Sequence, residues 1–290
     1  MAVEDEVARQ FTALFATLRA SIVQQLYALW FGMDNYRDSD LDDWLELSLP
    51  IVQAGQETAV TATSTYVQMQ LDLAGAESQL IIPPYELVTG SAIRNGVPPE
   101  EVYARPFVDV WTALSRGKDI AEAIEAGAER LRQLVETDIQ LSHTHTARSI
   151  FSNTAGIKGF RRVPTGAYTC ALCMIASTQR YRSFDLMPIH PGCDCRVAPI
   201  VSEDTIPRVV DKETLERIHE AIQRQFGISA RDAREIDYRK ILLVENHGEY
   251  GPTLTVAGHK FTGPNDLKAT HESPVWSTDF SDFGTNLVNA

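Results

Sequence analysis

All four cysteines of this 290-residue chain fall inside one stretch, CALCMIASTQRYRSFDLMPIHPGCDC, which runs from Cys170 to Cys195. They form two tight pairs, Cys170-Ala-Leu-Cys173 and Cys193-Asp-Cys195, with His190 just ahead of the second. Two residues between cysteines let both sulfurs face one ion from a knuckle, and the Pro191-Gly192 turn can fold the imidazole back towards them. A structural zinc takes four soft or borderline ligands in a tetrahedron. Cys170, Cys173, His190, Cys193 and Cys195 offer five candidates for the four places, and spacing leaves open which four bind. Such a tie constrains the fold more than any apolar pattern, because it fixes distant parts of the chain to one point.

Other chemistries fit less well. Disulfides belong to oxidising compartments. The start, MAVEDEVARQ, is acidic and lacks the charged-then-apolar order of a secretion signal, so the chain is expected to be made and kept in a cytoplasm. No apolar run of about 18 residues occurs, so no membrane partner is expected. Redox work by a Cys-x-x-Cys pair calls for a βαβ pattern, which is missing here. A catalytic zinc needs three ligands, an open position and an acid-base residue. Asp185 and Asp194 are the only close carboxylates, and neither has a distinctive spacing.

Charge is segregated around the cluster. The chain carries −13 overall. From Arg148 to Arg182 there are six basic residues (Arg148, Lys158, Arg161, Arg162, Arg180, Arg182) and no acidic one, which leaves −19 on the rest. An acidic chain is repelled by nucleic acid and anionic membranes except where such a face concentrates positive charge. These six residues are therefore expected either to meet an anion, including DNA, or to pair with acidic partners in a neighbouring subunit or domain.

Upstream, residues 4–31 predict a helix with an apolar stripe of Val7, Phe11, Leu14, Phe15, Leu18, Ile22, Leu26 and Leu29. Asp40 is placed to cap a second helix through Leu41, Trp44 and Leu47, with Pro50 as a kink or restart and more helix from Ile51 to Leu73. After the Pro/Gly-rich connection IIPPYELVTGSAIRNGVPP, Pro98 and Pro99 suit the first turn of a third helix. Its apolar face is Val102, Phe107, Val110, Trp111 and Leu114. Asp119 caps a long fourth helix reaching towards Ile150. His143 and His145, two apart on that helix, do not share a face and read as ordinary histidines.

Beyond Asn153, AGIKGFRRV predicts a turn into a strand, and RVAPI after Cys195 predicts another. Lys212 to Phe226 reads as a helix stopped by Gly227, and SARDAREIDYRKILLVE as a further helix capped by Ser229. TLTVAGHKFTG reads as a hairpin around Ala257-Gly258. The last residues are polar with spaced aromatics at Trp276, Phe280 and Phe283, as in an extended arm that docks on a partner subunit.

GFRRVPTGAYTCALCMIAS, followed by IHPGCDCRVAPI, resembles the minor head proteins of tailed bacteriophages related to the F protein of phage Mu, the MuF-like family. That family has a Cys-x-x-Cys, a small helix, and a His-Pro-x-Cys-x-Cys signature before a short apolar strand. Cys170, Cys173, His190, Pro191, Cys193 and Cys195 each match. Val244 to Pro264 is similar to the C-terminal region of actinobacterial-phage members, so the specific likeness covers roughly residues 155–264. The fold expected is α+β and mainly helical. It comprises a helical domain (1–153), a small treble-clef-like α+β module with the Cys/His knuckle (154–263), and an extended arm (264–290). The resemblance implies a low-copy, portal-associated virion component on the capsid interior, with portal protein, major capsid protein and packaged DNA as partners and a role in head assembly and DNA packaging or ejection. Some relatives are labelled capsid maturation proteases, which makes that activity the alternative. Ser177, His190 and Asp194 supply triad residue types here, but without a nucleophile-elbow pattern.

Overall fold

In the computed structural model, the N-terminal stripe folds as α1 (Val3–Phe31). The structure describes residues 3–163, 165, 176–177, 180–182, 195–202, 220 and 242–256. The buried face of α1 runs Ala8, Phe11, Phe15, Ile22, Leu26 and Trp30. Leu14, expected in that stripe, is instead 54% exposed, and Trp30 closes the face in its place. Spacings of three, four and seven keep these side chains on one line, whereas Leu14 sits a full residue step around the helix from Phe15.

The second helix is one unbroken element, α2 (Leu41–Leu73), with Pro50 inside it. Pro50 is exposed, so water can serve the Glu46 carbonyl that a helical N–H would have met. Packing along the whole helix outweighs a defect of about 3 kcal/mol. Trp44, Val52, Ala59, Tyr66, Val67 and Leu71 face inward, while Leu47, expected to pack, is 57% exposed. Short 3-10 turns at Tyr85–Leu87 and Gly90–Arg94 carry the chain to α3 (Pro99–Ser115), with Pro99 at its first helical position. In α4 (Ile120–Asn153) the Asp119 carboxylate caps the start by accepting from the Glu122 N–H at 2.8 Å.

The four helices pack on one apolar core. Trp30 is its hub, edge-on to Trp44 and Phe107 at 5.3 Å each, with its indole N–H given to the Ile124 carbonyl at 3.1 Å. Gly127 lets α4 come close: a Cβ there would meet Trp30, and would lie 2.8 Å from Val110 Cγ2 and 2.9 Å from the Pro106 carbonyl oxygen. His143 is buried in this core against Phe11 and Phe15. The Thr63 hydroxyl gives its proton to the Ala59 carbonyl at 2.7 Å, so the His143 Nδ1–H donates to that hydroxyl at 3.0 Å.

Beyond α4 a small antiparallel sheet forms in the order β2-β1-β3, from β1 (Gly159–Val163), β2 (Arg180–Tyr181) and β3 (Arg196–Ile200). Every residue of β3 is buried. Phe160 of β1 is fully buried and stacks on Tyr181 at 4.8 Å. The second sheet is a hairpin of β4 (Leu242–His247) and β5 (Gly251–Val256), turning through Gly248, Glu249 and Tyr250. One expectation is corrected here: Leu242–Glu245, read as the end of a helix, is strand. Thr253–Val256 of TLTV pair with the segment before them, through a turn at Gly248–Tyr250. Leu242, Leu243 and Val244 pair across the ladder with Val256, Thr255 and Leu254, while residues 229–241 of the expected helix lie outside the described residues. The expected helix at 212–226 (Glu220 apart), the Ala257-Gly258 turn and the arm at 264–290 lie outside the described residues.

Candidate functional site

The cysteine stretch is held by its feet. β1 pairs with β3 so that Val163 lies opposite Arg196. Chain therefore leaves β1 after Val163, returns to the sheet as β2 on the other edge of β1, and enters β3 through Cys195 opposite the point where it left. Directly paired residues of an antiparallel ladder have Cα atoms about 5 Å apart. Cys195 is described and buried. Cys170, Cys173, His190 and Cys193 lie outside the described residues. Among the described residues no three His, Cys, Asp or Glu side chains are grouped to hold a metal.

Arg196, the residue after Cys195, locks this end of the sheet to the helices. It is fully buried. Its Nη1 donates to Gln140 Oε1 at 3.1 Å and its Nε to Thr12 Oγ1 at 3.2 Å. The guanidinium lies over the rings of Phe15 and Phe11, at 4.7 and 5.4 Å. Arg19 donates to the same Gln140 oxygen at 2.7 Å, and Thr12 also meets the hydroxyl of Thr165 at 2.5 Å.

The six basic residues do not form one uniform face. Lys158 and Arg182 are exposed, and Arg148 and Arg180 are half-buried. Arg161 donates to the Asp5 carboxylate of α1 at 3.0 Å. Arg162 is 4% exposed and sits 6.0 Å from the Tyr181 ring. Adjacent strand residues point to opposite faces, which separates Arg161 from Arg162. His145, beside Arg148, is held neutral: burial first, and the Arg148 charge second, push it down to about 4.

A second constellation was not singled out by the sequence. Arg94 is 1% exposed and Asp138 2% exposed, and their Nε–Oδ1 separation is 2.5 Å. Asp138 Oδ2 also accepts from the Tyr103 hydroxyl at 2.8 Å and from Gln56 Nε2 at 3.4 Å. Burial raises the Asp138 carboxyl above its ordinary range, against the pull of Arg94 and Tyr103. Arg94 turns its other side to Glu249, at the hairpin tip, and Arg105 Nη1 meets both Glu249 oxygens at 2.9 Å. Burial works to raise Glu249, but the two arginines outweigh it and hold the carboxyl below its usual range. Asn95 donates to the Gly248 carbonyl at 2.7 Å, and Tyr250 packs on Ile93 and Leu141. The only sequence trace of this network is an arginine inside a Pro/Gly-rich connection. Its partners stand 44 and 155 residues away, beyond the reach of any local pattern.

No described helix is long and apolar enough to cross a membrane. Neither a curated protein nor a solved structure matches the chain. One family does, over residues 2–222, a span that takes in all four helices, the small sheet and the whole cysteine stretch. By that match the chain belongs to the VG15 protein family, a family of phage proteins.

Proposed function

We propose that this chain is a minor head protein of a tailed bacteriophage, of MuF-like type. It is a structural part of the capsid interior at the portal vertex, acting in head assembly and in DNA packaging or ejection. Membership of a phage family supports the setting. The observation that carries the finer reading is the cysteine stretch: a Cys-x-x-Cys and a His-Pro-x-Cys-x-Cys whose outer ends are rooted opposite each other on β1 and β3. A stretch whose two ends and middle all meet one three-stranded sheet suits a single ion as its internal tie. The buried Cys195 at the return point is a fitting donor, since a thiolate out of bulk water is a good zinc ligand. Cys170, Cys173, Cys193, Cys195 and His190 would supply the four ligands, and the ion would act as a cross-link with no chemistry of its own. Apolar Ile81, Ile82, Tyr85 and Leu87, exposed on the connection between α2 and α3, support a role in binding a portal or capsid partner. Exposed Lys158 supports a contact with an anion such as packaged DNA, and the chain is expected in several copies around the portal.

Metal analysis of the purified protein tests the tie: about one zinc per chain is expected, lost in a Cys170→Ser, Cys173→Ser double variant. Retention of metal by that variant would sink the ligand assignment. Labelling the chain in virions is expected to mark a single vertex, and label spread evenly over the shell would contradict the portal placement. Incubation with the major capsid protein is expected to leave it uncut. Cleavage that disappears in Ser177→Ala would replace the structural reading with the protease.

A further inference from the structure

His247 ends β4 and braces the turn that follows it. Its Nδ1 accepts two backbone N–H groups, from Glu249 and from Tyr250, both at 3.2 Å. Its ring stacks on Tyr250 at 4.5 Å with the planes 14° apart. Tyr250 in turn lies 5.4 Å from the Arg94 guanidinium. Gly251, at φ 68°, closes the turn in a backbone region that glycine enters without strain. An Nδ1 that accepts must carry a lone pair, so the ring is neutral with its proton on Nε2. An imidazolium carries N–H on both nitrogens. Proton uptake would therefore set a third donor against the two turn amides, and add a positive charge one ring away from Arg94.

We propose that His247 is the switch of a proton-operated latch: neutral, it shapes the turn that seats Glu249 between Arg94 and Arg105; protonated, it releases the β4–β5 hairpin from the helical body. The charged and titratable groups around the seat are Glu249 on the turn, Arg94 after the 3-10 turn's start at Gly90, Arg105, Tyr103 and Glu101 on α3, Asp138 on α4, and Tyr250. Arg94 and Tyr103 are both pushed up, away from the range between about pH 7 and 5. Glu249 also stays ionised there, being held below its usual range by the two arginines. That leaves the His247 imidazole, Asp138, which burial raises, and Glu101, whose contact is with Arg105 at 3.7 Å. Asp138 bonds to Arg94, Tyr103 and Gln56 and does not touch the turn amides, so its protonation and that of His247 are separable by mutation.

The test is hydrogen exchange of the full chain at pH 7.5 and pH 5.0, with exchange times scaled for the intrinsic pH dependence. Peptides from α1 to α4 report that the body stays folded. In the unmodified protein, protection of the hairpin is expected to fall about tenfold at pH 5.0, the weight of one or two backbone hydrogen bonds. His247→Asn keeps an acceptor without a titrating proton, and its hairpin is expected to be equally protected at both values. In His247→Ala protection is expected to be low at both. No fall in the unmodified protein, a fall that survives in His247→Asn and so belongs to a carboxyl, or full protection in His247→Ala would each overturn the latch.

Discussion

Arg94 and Arg196 are both buried guanidiniums that fasten a β element to the same helical body, yet they are held by opposite means. Arg94 joins the hairpin through carboxylates, Asp138 on one side and Glu249 on the other. The described partners of Arg196 are a neutral amide oxygen, a hydroxyl and two phenyl faces. A buried ion-pair network is all-or-none, since removing one member strands the desolvated charge of another. Among its described partners, a cation on dipoles and ring quadrupoles strands no charge when removed. The hairpin anchor should therefore be brittle and the sheet anchor graded.

The largest effect is expected from Asp138→Ala, which strands Arg94 in the core. It should cost about 3–5 kcal/mol in chemical denaturation, and a loss below about 1 kcal/mol would mean that Glu249 or water compensates fully. Arg196→Met, which keeps the apolar stem over Phe11 and Phe15, should cost about 1–2 kcal/mol. If it equals Asp138→Ala, the contrast between the anchors fails. Gly127→Ala probes the body that both anchors grip. Its methyl meets Trp30, Val110 and the Pro106 carbonyl, for a cost of about 1–3 kcal/mol that should fall on both anchors alike. Acid sharpens the comparison from another side. The His145 value is depressed in the fold, so its neutral form is the folded one, and stability should decline as pH falls from about 6.5 towards about 4. His145→Gln should flatten that part of the denaturation-versus-pH curve. The smallest effect is expected for the exposed pair Lys118–Glu122, at 3.2 Å across the start of α4. Its removal should cost less than about 0.5 kcal/mol and vanish in high salt.

The helical body was legible because its signals are local. An apolar period, Asp119 as a cap and Pro99 at a first turn mark α1, α3 and α4 to within a few residues. The errors inside it are of two kinds. Leu14 and Leu47 carry the right chemistry on the wrong side of the helix, and a restart at Pro50 is overruled because packing holds α2 as one element through it. The strands were half legible. GFRRV and RVAPI stand out by their apolar-basic texture, but LLVENH was absorbed into a helical pattern because only its partner across the ladder distinguishes it. The Arg94–Asp138–Glu249 network was invisible for the same reason at greater range: each member is unremarkable alone, and the fold supplies the proximity. The cysteine stretch is the reverse case, where the residues announce chemistry and the register of β1 and β3 adds the common root.

That common root has a consequence for how such a chain can change. Whatever lies between Val163 and Cys195 is stitched to the body at β1, at β2 and at β3, so its length can change only between the stitches. The helices behind it, joined to the last stitch by Arg196, form a chassis that keeps those stitches in register.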